Sequence, residues 1–172
     1  MTYTRYILQR IGKAFGINPK GQRNSDIISE KHLLRQGEVE LGKLTWREVG
    51  KIDALAESYQ HLCRLAEHHE QLSKNLKKGR EQLKSLSKAE DKTSPELNKT
   101  NKEVARLLSE RSALEKEMTE HHRLVGKYIM RHADQLAACR KAASCQRHLL
   151  DVLRALGRSI DLNRRLNGTR AR

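Results

Sequence analysis

Two runs of apolar residues at helical spacing, separated by a short breaker, constrain this chain more than anything else in it. The first passes through Ile52, Leu55, Tyr59, Leu62, Ala66, Leu76 and Leu83, with Leu65, Leu72 and Leu86 widening the stripe. The second passes through Leu97, Val104, Leu107, Leu108, Leu114, Met118, Leu124, Val125, Tyr128 and Ile129. Steps of three and four residues put each set on one side of an α-helix and sustain a heptad seam. The breaker is "SKAEDKTSPELNK". In it Thr93 and Glu96 have the spacing of a capping box, and Pro95 falls in a first helical turn, where its missing N–H costs nothing. Two long seams joined by a turn of about six residues should fold back as an antiparallel hairpin. With the tip near 88–95, facing residues have numbers summing to about 183, a register set by that short turn. Leu86 then meets Leu97, Leu76 meets Leu107 or Leu108, Leu65 meets Met118 and Leu55 meets Tyr128. The arm is roughly 60 Å long at ~1.5 Å per residue. A straight parallel coiled-coil dimer is the alternative, and the turn chemistry argues against it.

The remaining segments also read as helices. "TYTRYILQRIGKAFG", residues 2–16, puts Tyr3, Ile7, Leu8, Ile11, Ala14 and Phe15 on one side and Arg5, Gln9 and Lys13 on the other. Gly16, Pro19 and Gly21 then mark a loop. A second helix is predicted from about Ser25 to Gln36, with Gly37 as its stop and "GEVELGKL" as a link. In "LTWREV", Thr45 and Glu48 read as a capping box opening the first long seam, with Leu44 and Val49 as its hydrophobic staple. After Ile129 the helical pattern runs on to about Leu166. With one Phe and one Trp in 172 residues, narrow Leu/Ala seams are what this chain can bury. The expected fold class is therefore all-α. A long antiparallel coiled-coil hairpin (45–134) projects from a small helical foot built of residues 1–44 and 135–172.

Charge is segregated along the chain. Of a net +14, residues 1–25 contribute five basic and no acidic side chains, and residues 131–172 contribute ten basic against three acidic. The intended arm is nearly neutral, as an interspersed Glu/Lys surface should be. Nine of the ten basic residues after position 130 are Arg. Arg140, Arg147, Arg154, Arg158 and Arg165 fall within about 40° of one another at ~100° per residue. Opposite them lie Ala138, Ala142, Cys145, Leu149, Leu153, Leu156 and Ile160. A guanidinium fork suits bidentate phosphate contacts. Arg5, Arg10, Lys13, Arg140, Arg147, Arg154, Arg158, Arg164 and Arg165 are accordingly the candidate polyanion contacts. Lys84, Lys88 and Lys92, near the tip, are the candidate protein contacts.

Catalytic and cofactor chemistry find no support: there is no Gly-rich phosphate loop, no GxSxG and no HExxH. The chain reads as a non-enzyme without cofactor. Eight histidines raise the question of metal. The register sets His61 against His121 or His122, and Cys145 and His148 are three apart. Zinc wants four convergent ligands, which a single helix does not give, so no metal site is expected and the histidine cluster reads as solvated. Charged imidazoles would crowd it below about pH 6. Cys63, Cys139 and Cys145, odd in number and without a CxxC spacing, read as free thiols of a reducing compartment, cytoplasmic or mitochondrial. No apolar run approaches the ~18 residues that would span a bilayer. Residues 2–16 are closer to a transit peptide than to a secretory signal, but read best as one strip of the basic foot; a membrane-lying helix is the next reading. A helix-turn-helix over 26–56 would need a shorter link. Few aromatics leave no stacking platform for single strands, so nucleic-acid binding would be directed at phosphate. The chain thus reads as a non-catalytic assembly subunit. Its foot seats on a polyanion, RNA of a ribonucleoprotein such as a ribosome, and its arm reaches a protein partner or a second copy. The alternatives are a protein-only adaptor or stalk docking on an acidic partner and, third, a peripheral binder of anionic membrane.

Overall fold

The structure, a computed structural model, describes residues 20–50, 52–89 and 95–168, with side chains over 25–50, 52–87 and 95–165. The protein is all-α, and no strand occurs among the described residues. The α-helices are α1 (Lys20–Thr45), α2 (Ala56–Ala89), α3 (Pro95–His132), α4 (Ala137–Ala143) and α5 (Arg147–Gly168). Single 3-10 turns at Trp46–Glu48, Asp53–Leu55 and Ser144–Gln146 connect them. The chain forms two compact units. One spans Glu38–Gln146; the other combines the residues up to Gly37 with Arg147–Arg172, so the boundary falls inside α1.

In the Glu38–Gln146 unit, α2 and α3 pair antiparallel. Leu65, Leu72 and Leu76 pack against Val104, Leu107 and Leu114, with Leu83 and Met118 at the margins. Steps of seven, four and seven on α2 and of three, seven and four on α3 keep these side chains on the facing seam. Contacts across the pair fall on the expected register: His61 stacks on His121, and Val104 lies against Gly79, where an added Cβ would come within 2.9 Å of its Cγ2. The seam is narrower than the sequence stripe. Leu107 is buried, whereas Leu108 and Leu124 are 41% and 44% exposed, because one partner helix can cover only about two of every seven positions. Pro95 opens α3 as its N-terminal residue. The expected Thr93 cap lies outside the described residues.

Three local expectations are corrected. Gly37 does not stop a helix, since α1 runs unbroken through both Gly37 and Gly42 to Thr45. Glycine inside a helix costs about 1 kcal/mol relative to alanine, and here close approach explains its use. A Cβ on Gly42 would strike the carbonyl oxygen of His122, and one on Gly126 would strike the carbonyl oxygen of Glu38. The backbones of α1 and α3 therefore touch at this crossing. Second, Thr45 does not cap a new helix. Its hydroxyl turns back to the Leu41 carbonyl, in the last turn of α1, and no side-chain cap forms on the turn that follows. Leu44, the expected staple residue, is 55% exposed, and α2 starts only at Ala56. Third, the helix from Pro95 ends at His132. Arg140 donates from Nη2 to the Asp134 carbonyl (2.7 Å), holding the turn that separates α3 from α4. Buried Leu41, Val49, Ile52, Leu55, Leu62, Val125, Ile129, Ala133, Cys139, Ala142 and Ala143 extend the core of this unit.

In the other unit the first part of α1 runs antiparallel to α5. Gly37 meets the Leu153 side chain, and Glu30 accepts hydrogen bonds from the Ser159 hydroxyl (3.0 Å) and the Asn163 amide (3.4 Å). Ile27, Leu150, Leu153, Leu156 and Ile160 are buried. Gly157 differs from the crossing glycines, with no heavy atom near its missing Cβ. Opposite effects of the same substitution follow. Gly157→Ala should gain about 0.5–1 kcal/mol from helix propensity and raise the melting temperature by a few degrees. Gly42→Ala or Gly126→Ala should cost at least about 2 kcal/mol, since backbone rather than a movable side chain stands in the way. Thermal denaturation followed by circular dichroism measures both.

Candidate functional site

The candidate polyanion residues on α5 are placed by its own amphipathicity. Leu150, Leu153, Leu156 and Ile160 are buried, and at 100° per residue Arg147, Arg154, Arg158 and Arg165 share the opposite side. Arg147, Arg158 and Arg165 are exposed and Arg154 is half-buried. Arg164 lies off this strip and pairs with Asp161 at 3.7 Å. Asp151 and Asp161 are the only acids on α5, against five arginines. Arg140 belongs elsewhere. It sits on α4, in the other unit, and its guanidinium is engaged by the carbonyls of Ala133 and Asp134. The continuous arginine strip expected from 140 to 165 is thus divided by the 3-10 turn at Ser144–Gln146. Arg5, Arg10 and Lys13 lie outside the described residues, as do Lys92 and the side chain of Lys88. Lys84 is exposed on α2.

On α2 and α3, ion pairs at helical spacing occupy much of the charged surface: Glu70 with Lys74 at 2.8 Å, Glu103 with Arg106 at 2.6 Å, Arg111 with Glu115 at 2.7 Å and Glu120 with Arg123 at 3.0 Å. Such exposed pairs, screened by water and salt, add little to stability. They occupy donors and acceptors that a partner would otherwise meet.

The histidines form the second feature. His122 is buried against Trp46 (6.2 Å between ring centroids), and neither of its ring nitrogens has a hydrogen-bond partner. Burial first, then Lys43 and His121, push its pKa below the ordinary imidazole value, against the opposing pull of Glu40. His121 is half-buried and is shifted the same way, by burial and by His61, with Glu117 and Glu120 opposing. His61 Nε2 lies 2.8 Å from Glu117 Oε1. The hairpin register brings His61 to His121 or His122, but nothing in it singles out Glu117. The available signal was its position one helical turn before His121. The three cysteines are free: Cys139 buried, Cys63 half-buried and Cys145 exposed. No described helix is long and apolar enough to cross a membrane.

The lowered pKa of His122 links acid to stability. The folded protein holds the ring neutral, while the unfolded chain takes up a proton near pH 6.5, so the unfolded state binds more protons below that value. Stability contributed by the neutral ring is complete above about pH 6.5 and declines as the pH falls towards the folded-state value, by at most ~1.4 kcal/mol per pH unit for one group. Denaturant midpoints between pH 7.5 and 5 should fall in the wild type and less steeply in His122→Phe. Comparison of the chain with protein-family models, curated proteins and solved structures returned no match.

Proposed function

We propose that this protein is a non-catalytic assembly subunit that seats on structured RNA through arginines and offers its helical hairpin to protein. The observation that carries the reading is the arginine side of α5, Arg147, Arg154, Arg158 and Arg165 opposite a buried Leu/Ile face. The all-basic residues 1–25 add to it in sequence. Guanidinium groups along one side of a helix match a phosphate backbone in sign, and contacts of this kind position a protein on folded RNA without reading bases. With few aromatics in the chain, base stacking contributes little. Arg140 leaves the contact set on this reading, since its donors already serve the turn at Ala133–Asp134. The hairpin, whose exposed charges are mixed in sign, takes the protein-binding role, with Lys84, Lys88 and Lys92 nearest its turn.

Titration of the full chain into a labelled structured RNA at several salt concentrations tests this. The affinity should fall steeply with salt, by a log–log slope of several units. Reversing Arg147, Arg154 and Arg158 to Glu together should abolish binding at moderate salt and remove about two to three units of that slope, with helix content unchanged by circular dichroism. Reversal of Lys84, Lys88 and Lys92 should leave RNA affinity unchanged within about twofold, because a contact removed from the phosphate set alone changes the slope. RNA binding that survives the arginine reversal intact refutes the reading and turns attention to an acidic protein partner.

A further inference from the structure

We propose that His61, Glu117 and His121 bind one first-row transition cation, Zn2+ foremost, which clips α2 to α3. Their three ligand atoms lie within 4.8 Å of one another. His61 comes from α2; Glu117 and His121 are four residues apart on α3 and so share one face. The imidazoles of His61 and His121 sit side by side, 4.4 Å between centroids, and His61 Nε2 approaches Glu117 Oε1 to 2.8 Å. An ion about 2.0–2.1 Å from each donor needs them roughly 3–3.4 Å apart, which small side-chain rotations supply. A second observation points to a ligand: Nδ1 of His121 is buried without a hydrogen-bond partner. An orphaned ring nitrogen is costly in a protein interior, and coordination of an ion by it removes that cost.

The donor set selects the cation. Two imidazoles and one carboxylate suit Zn2+, and with it Cu2+, Ni2+ and Co2+, rather than Mg2+ or Ca2+, which require a cage of oxygens. The imidazole of His61 and the carboxylate of Glu117 are 38% and 51% exposed, so water can complete the coordination sphere. Neighbouring pairs lack this convergence. His69 reaches Glu115, but Arg111 already holds that carboxylate, and His68 meets only Glu110, at 3.4 Å. Glu120 is engaged by Arg123. Because the ligands come from two helices, the ion binds the paired hairpin and not the unfolded chain, and it must stabilise that pairing in proportion to its concentration over its dissociation constant.

The full-length protein, stripped with a chelator and dialysed, is titrated with ZnCl2 by calorimetry and with CoCl2 by visible absorbance. One equivalent should bind in the micromolar range, with Co2+ bands characteristic of mixed nitrogen and oxygen ligation and a rise in melting temperature at saturating Zn2+. His61→Ala, His121→Ala and Glu117→Gln should each weaken binding at least about tenfold, while His68→Ala and His69→Ala leave it unchanged. Glu117→Gln changes an exposed side chain and keeps its shape, so loss of metal there is not loss of fold; circular dichroism of each apo variant verifies this. No Zn2+ uptake by the wild type, or undiminished uptake in Glu117→Gln and in the His61→Ala/His121→Ala double variant, overturns the assignment.

Discussion

At the crossing of α1 and α3 two backbones meet with no side chain between them, and the rest of the Glu38–Gln146 unit is arranged around that contact. Gly42 faces the His122 carbonyl and Gly126 faces the Glu38 carbonyl, so each helix supplies the glycine against which the other rests. Bringing axes this close permits weak Cα–H to carbonyl contacts and brings dispersion from many atoms at once. It also fixes what lies beside it. Leu41, Thr45, Val125 and Ile129 are all buried within one turn of these glycines, and His122 is pressed against Trp46. Glu38, buried at the same place, has the Arg123 guanidinium 3.8 Å away, which offsets part of the cost of removing its charge from water.

The hairpin was the most legible part of the chain, and the reason is its repetition. A heptad seam states its own period many times over, so an error at one position, such as Leu108 or Leu124, leaves the helix and its register intact. α1 was legible only up to Gln36, by the same logic. Its buried residues are Ile27, Glu30, Glu38, Leu41, Gly42 and Thr45, and four of those six are residues that a hydrophobicity pattern scores as surface or breaker. Glu30 is buried because Ser159 and Asn163, more than a hundred positions away in sequence, supply its hydrogen bonds. Nothing local announces that. The turn after His132 was hidden for a related reason: it has no glycine or proline, and is closed instead by the Arg140 side chain reaching back to two carbonyls. Thr45 misled because a capping box is a local rule, and tertiary packing had already committed its hydroxyl to α1.

Of the candidate interface, the sequence could give the face but not the length. The arginines after position 146 keep their common side in the structure, since the amphipathic period of a single helix fixes both faces together. Arg140 could not be sorted from them without knowing that a helix ends between. The distribution of charge types has a physical logic of its own. Along α2 and α3, Lys, Arg and Glu alternate at distances where they neutralise one another, which keeps a long, thin element soluble without a strong field. On α5, five arginines stand against two aspartates.

The histidines at the base of the seam follow from the narrowness of that seam. Two helices alone bury a strip one or two side chains wide, so positions flanking it are half-covered, dry on one side and wet on the other. His61 and His121 occupy such flanks. On His121 the dry side opposes the charged form of the ring and lowers its pKa. A leucine there would expose apolar surface, and a lysine would draw the seam open to water. Where the flanks of two helices bring such rings together beside a carboxylate, a cross-link by a divalent ion costs the fold no extra core and adds a tie between helices that dispersion along a thin seam holds only weakly.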